Sequence, residues 1–268
     1  MDSYIIEWLN LVVRWIHVIT GIAWIGASFF FNWLDSQITP PENPQPKVEG
    51  ELWMIHSGGF YQLKKTMISP SEIPRVLHWF KWEAYSTWIS GIFLLGIVYY
   101  TGSGVYLIDS EIADLSYGMA VSISLGTILV SWLIYDFIWA SSLSEKGWIT
   151  GMISFLLLFG IIWWFHQWFG SRAAYIHVGA VMGTLMVGNV WRRIIPSQTK
   201  LVEAVKAGKT PEASLGIKAK QRSLHNNYMT LPVVFIMISS HFPSTFTHYY
   251  NWAILIAIIV IGATVRHF

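Results

Sequence analysis

Nine histidines carry most of the chemical potential of this chain. An imidazole inside an apolar stretch is costly unless it is hydrogen-bonded or ligated, so each one found there is a functional candidate. His17 comes first, in Arg14-Trp-Ile-His17-Val-Ile-Thr-Gly21-Ile-Ala-Trp24-Ile-Gly26. At helical spacing His17, Gly21 and Trp24 share one face. Gly21 removes bulk beside the imidazole, which would let a flat macrocycle approach. Arg14, one turn away, could pair with a haem propionate. Haem iron takes axial histidines, and a b-type haem needs no cysteine; the chain has none. The plainer alternative is a His17 bonded to a neighbouring helix, with Gly21 as a packing notch.

His177, in Ala-Tyr175-Ile-His177-Val-Gly179, is the best second haem ligand by side of the membrane. At ~1.5 Å per residue it lies about 8–9 Å below the boundary and His17 about 14–18 Å, so His166 or His241 could replace it. A second cluster opens two apolar stretches on the opposite side. His78, Lys81, Trp82 and Tyr85 share a helix face, with Glu83 among them. Arg222-Ser-Leu-His225-Asn226-Asn227-Tyr228-Met-Thr230-Leu-Pro232 packs cation, imidazole, amides, phenol and hydroxyl into a few turns. Together they suit a planar, anionic, multiply hydrogen-bonding substrate. The alternative is an ordinary helix start with snorkelling cations. Asp136 and Asn189, also in apolar stretches, read more simply as interhelical hydrogen bonds.

The elements that must position these groups are membrane helices. The chain is 54% apolar and only 12% charged, about half the charge of a soluble domain at ~25%. We expect an all-α, polytopic transmembrane bundle with spans at 5–32, 79–101, 117–140, 147–169, 172–195, 224–241 and 250–267. Each is close to the ~20 residues that cross the hydrocarbon core. Fifteen of seventeen Lys and Arg fall on one side of these spans; Arg172 lies on the other and Arg14 within the first. The positive-inside rule then puts the N-terminus outside and the Arg222 side in the cytoplasm. A net charge of +2 gives no argument for nucleic acid. Without cysteine there is no disulfide, thiolate metal site or C-x-x-C-H haem attachment. The first apolar stretch is too long and too interrupted by Arg and His for a cleavable signal peptide. The segment 35–77 begins proline-rich and extended, then looks ordered across Glu51–Tyr61, while Leu201–Ala207 reads as a short amphipathic helix ended by Gly208 and Pro211.

Several motifs resemble the bacterial membrane-bound urate oxidases, or urate hydroxylases. They are the His17 segment above, Glu51-Leu-Trp-x-x-His56-x-Gly-Gly-Phe-Tyr61, Leu77-His-Trp-Phe-Lys-Trp-Glu-Ala-Tyr85, Tyr106-Leu-Ile-Asp109, Ala219-Lys-Gln-Arg-Ser-Leu-His-Asn-Asn-Tyr228 and Gly262-Ala-x-x-Arg-His-Phe268. The resemblance runs from end to end. It implies an eight-helix membrane domain over 1–268 followed in the family by a cytochrome c domain, with oxidation of urate to 5-hydroxyisourate in purine catabolism and electrons passed to cytochrome c rather than O₂. This chain, with seven expected spans and no haem c motif, is expected to be a truncated membrane domain or one served by a separate cytochrome carrying haem c. The expected home is the bacterial inner membrane. The His17 segment also resembles, more loosely, the first helix of membrane protoporphyrinogen oxidases. The assignment that follows gives catalysis to His225, Asn226, Asn227 and His78. Substrate binding falls to Lys81, Glu83, Tyr85, His56, Arg222 and Tyr228, and haem b to His17, His177 and Arg14. The rival readings are a transporter for purines or related anions and a non-catalytic haem-binding subunit.

Overall fold

A computed structural model describes residues 3–101 and 104–267. The chain begins with α1 (Ser3–Gln37), an apolar helix of 35 residues that exposes most of its side chains and buries only Leu34. The fold is all-α in its bulk, as expected, and the segment that follows adds two short strands. β1 (Val48–His56) and β2 (Gly59–Thr66) form an antiparallel hairpin. Its two-residue tip, Ser57 and Gly58, has φ of 50° and 78°. Two successive positive φ values match the twist of a tight hairpin, and a Gly takes one of them without a Cβ penalty. A single turn at Pro70–Glu72 leads into α2 (Trp82–Leu95), which runs on as a π-turn over Gly96–Tyr100.

The remaining helices are α3 (Tyr117–Ala140), α4 (Gly147–Trp168) and α5 (Ser171–Asn189). A second π-turn at Val190–Ile194 carries α5 directly into α6 (Ile195–Lys206). Gly208, at φ 69°, ends that run. Then come α7 (Ala213–Ser239), the short α8 (Pro243–Phe246) and α9 (Asn251–His267). The segment 196–223 is thus largely helical, and α7 starts eleven residues before the apolar stretch that announces it in the sequence.

Side-chain pairs fix the directions. His17 meets Thr87 and Phe31 meets Phe80, so α1 and α2 are antiparallel. Trp88 bonds Thr184 and Tyr85 packs on Trp191, so α2 and α5 are antiparallel. Asn189 bonds Asn226 while Gly179 lies against Ile236, giving the same relation for α5 and α7. Gly262 faces the Pro232 ring and His267 bonds Tyr228, so α9 reverses again. The long helices alternate, and the bundle has two distinct ends. The Arg172 end gathers the starts of α1, α3, α5 and α9. The Arg222 end holds the hairpin, α6 and the cationic start of α7.

Among the described residues four stretches are long and apolar enough to cross a membrane: α1, α3, α4 and the run Ser171–Lys206. α2 with its π-turn covers 82–100 but opens on the polar run Glu83–Thr87, α9 is a shorter apolar helix, and the first half of α7 carries Lys218, Lys220 and Arg222. Length and composition therefore carry four crossings rather than the seven expected. α5 is the central helix, with Ala174, Val178 and Val181 fully buried against its neighbours. The core around it, built from Phe165, Phe169, Tyr175, Ile236 and Leu255, lies towards the Arg172 end.

Candidate functional site

A cavity of about 510 Å³ opens between α1, α2, α5 and α7 near the Arg172 end. Two guanidiniums and two imidazoles line it: Arg14 and His17 from α1, Arg172 from the first turn of α5, and His241 just beyond α7. His17 is held by a single edge. Its Nδ1 lies 2.9 Å from the Thr87 carbonyl and 3.1 Å from Ser90 Oγ. A carbonyl only accepts, so Nδ1 carries the hydrogen. Nε2 has no hydrogen bond among the described residues. The ring rests on Gly91, where a Cβ would stand 3.0 Å from His17 Cε1. Any larger residue at 91 would push the imidazole off its carbonyl.

The two guanidiniums are not neutralised. Arg14 donates to Asn10 Oδ1 at 3.0 and 3.3 Å. Arg172 lies 5.9 Å over the Tyr106 ring. Neither forms an ion pair with a carboxylate among the described residues, and Tyr99, also on the cavity wall, feels the charge of both.

His177 is elsewhere. It is fully buried, with Nδ1 on the Ala173 carbonyl at 2.7 Å and Nε2 unpartnered. Its ring is enclosed by Tyr99, Phe165 and Phe169 at 5.0–5.4 Å between centroids. It does not line the cavity that His17 lines; Tyr99 stands on that wall instead. His166 makes the same kind of bond back to Ile162 and also stays outside.

The Arg222 end is organised by charge pairing. Asp136 on α3 takes a two-pronged bond from Arg193 at 2.7 and 2.5 Å. It also lies 3.4 Å from Arg222, whose side chain is only 4% exposed. Arg222 reaches on to Asn189 Oδ1 and lies 5.0 Å over the Tyr135 ring. Asn189 donates to Tyr135 Oη and to Asn226 Oδ1, both at 2.9 Å. Tyr135 in turn bonds His225 Nδ1 at 2.8 Å. The second π-turn sets this geometry, because it follows Asn189 and contains Arg193. Such turns insert a residue into the helical register and recur at functional positions. His225 and Tyr135 also line a second cavity, of about 920 Å³, between α3, α4, α7 and α9, with Tyr228 on its wall.

The expected substrate residues do not all converge. His225, Asn226 and Asn227 are successive on a helix, so each points about 100° from the last. Asn226 is spent on the protein, between Asn189 and the Met186 carbonyl. Asn227 is buried with Oδ1 unpartnered. Tyr228 bonds His267 and carries Arg266 over its ring at 5.3 Å. His78, Lys81, Glu83 and Tyr85 form a separate group at the start of α2, and none lines the cavity of His225. There His78 lies 3.6 Å from Glu83, Lys81 sits over Trp82, and Tyr85 packs on Trp82 and Trp191. Glu83 Oε2 is buried without a partner. His56 is at the hairpin tip, exposed, and bonds only Ser57. Sequence reasoning passed over Tyr135 and Arg193, although an Asp inside an apolar stretch is itself a signal that a cation must be near.

No curated protein and no solved structure matches the chain. A family model described as urate oxidase N-terminal matches residues 3–268. With nearly every residue inside that match, the chain belongs to the urate oxidase N-terminal family.

Proposed function

We propose that this is a membrane-bound urate oxidoreductase that converts urate to 5-hydroxyisourate and passes the electrons to cytochrome c. Counted from neutral uric acid, one water adds and two protons and two electrons leave. The observation that carries the reading is family membership across residues 3–268. The charge of the Arg222 end agrees with it: Arg193 and Arg222 share one carboxylate, Asp136, which leaves one positive charge in excess. Urate at neutral pH is a planar monoanion, and that excess favours it over neutral purines.

The hydrogen bonds also support a role for His225. Asn189 donates to Tyr135 Oη, so the phenol hydrogen is directed to His225 Nδ1. His225 is then the tautomer with its hydrogen on Nε2 and serves as a donor to a urate carbonyl rather than as a free base. The charge asymmetry of the bundle supports a cytoplasmic Arg222 end, an outer N-terminus and residence in the bacterial inner membrane. One-electron transfer between urate and cytochrome c is the chemistry that a b-type haem supplies when bound.

The test is anaerobic. Membranes carrying the chain, given urate and ferric cytochrome c, should reduce two cytochromes per urate consumed. Urate uptake into sealed vesicles without cytochrome reduction would replace the enzyme with a transporter. Urate loss that requires O₂ and leaves cytochrome c oxidised would overturn the acceptor.

A further inference from the structure

We infer that the cavity at the Arg172 end is a b-type haem site whose axial ligands are His17 and His241 and whose propionates rest on Arg14 and Arg172. This rests on the redox reading above for its purpose, but the site itself stands on geometry. Two imidazoles, one on α1 and one just beyond α7, line one cavity. His17 has Nδ1 pinned to a backbone carbonyl and Nε2 unpartnered. That is the arrangement by which proteins orient a metal-ligating histidine, the bonded nitrogen fixing the ring and the other facing the metal. His241 has no side-chain hydrogen bond among the described residues. No group of three or more metal-ligating side chains exists among those residues, so a bare ion is poorly served. A porphyrin supplies four nitrogens itself and asks the protein for two.

The walls suit a flat macrocycle. Gly21, Gly91, Gly179 and Gly183 bring backbone to the cavity from three helices. At Gly183 a Cβ would meet nothing within 4 Å, so that stretch of α5 faces open space rather than a packed neighbour. The volume, about 510 Å³, falls within the ~300–1,000 Å³ of cofactor pockets. Charge completes the fit. Arg14 and Arg172 line the same cavity without a carboxylate between them, and haem b carries two. His177 is excluded by its cage of Tyr99, Phe165 and Phe169.

The experiment uses the full chain purified in detergent, loaded with haemin and read without urate by optical and electron paramagnetic resonance spectra. Wild type should bind one haem with the six-coordinate, low-spin signature of two imidazoles. His241→Ala should turn it high-spin, and added imidazole should restore the low-spin form, which shows that the fold survived. His17→Ala should do the same or lose the haem. His177→Ala should leave the spectrum unchanged. Arg14→Gln and Arg172→Gln should each weaken haem retention about tenfold, the scale of one charge-assisted hydrogen bond. A low-spin spectrum that survives His241→Ala, or one that His177→Ala alone abolishes, overturns the ligand assignment, and a wild-type chain that binds no haemin overturns the site. Because no urate is present, a failure of the urate reading leaves these spectra untouched. Conversely, urate-driven cytochrome c reduction by a haem-free His17→Ala chain would preserve that reading and overturn the part of this one that puts the haem in the electron path.

Discussion

Two pairs of arginines face each other across the length of the bundle, and they are treated differently. At the Arg222 end, Arg193 and Arg222 share Asp136, and the hydrogen bonds run on through Asn189, Tyr135, Asn226 and His225. At the Arg172 end, Arg14 and Arg172 pair with no carboxylate among the described residues and line an open cavity beside His17 and His241. The first set of charges is held by the protein; the second awaits something from outside. Stability should therefore be sensitive at one end and ligand binding at the other.

The largest expected effect breaks the first end. Asp136→Ala leaves two cations without their shared carboxylate and should destabilise by about 3–5 kcal/mol, the cost of uncompensating a buried charge. Arg14→Gln and Arg172→Gln in the unloaded chain give up only the bonds to Asn10 and the contact with the Tyr106 ring, and should each cost no more than about 1 kcal/mol. Thermal unfolding in detergent of the three variants side by side checks this, and equal losses would erase the distinction between the two ends.

Tyr135→Phe comes next. It strips the bridge between Asn189 and His225, both in buried surroundings, and should cost about 1–3 kcal/mol. It should also free His225 from its fixed tautomer, so urate turnover should fall even at temperatures where the variant remains folded. Turnover that follows only the folded fraction would remove the tautomer argument.

Glycines sharpen the comparison further. At Gly188 a Cβ would lie 2.0 Å from Trp132 Nε1, so Gly188→Ala must displace an indole and should cost about 1–3 kcal/mol. At Gly183 nothing lies within 4 Å. Gly183→Ala should gain up to about 1 kcal/mol in helix propensity, while Gly183→Phe should block haemin binding without loss of fold. Opposite signs on one helix would mark where α5 turns from packing to cavity.

The smallest effect lies outside the bundle. Glu72 accepts from the Ser69 amide and from Lys47, which holds its carboxyl below the ordinary 4.5. A lowered folded-state pKa stabilises above the unfolded value and is lost as pH falls through the folded one. Proteolysis of the 47–72 segment should rise in acid for the wild type and lose that dependence in Glu72→Gln, with the bundle unaffected.

Much of this was legible in the sequence, for reasons that can be named. Apolar runs located the helices because a helix that faces lipid or core must be apolar along its length. The hairpin was hidden because only one face of two short strands needs to be apolar, although Ser57-Gly58 between alternating residues was a turn signal. The early start of α7 was hidden by its lysines. His17, Gly21 and Arg14 were legible because i, i+3 and i+4 residues share a face. That His241 and not His177 lines the cavity of His17 was not, because depth along a helix says nothing about which neighbour a side chain meets. The run His225-Asn226-Asn227 spreads over several surroundings for a similar reason: residues adjacent in sequence diverge on a helix.

The π-turn at Val190–Ile194 has a consequence for how this chain tolerates change in length. It stores one residue more than a regular turn would. Deleting a single residue there would let the helix close into ordinary α geometry and keep α5 intact. The helix downstream would then keep its bearing, because the wide turn holds its extra residue locally and does not pass it on to the register. A one-residue deletion in the turn that spares Arg193 should thus cost the protein less than the same deletion in the regular helix before it, where everything downstream would rotate by about 100°.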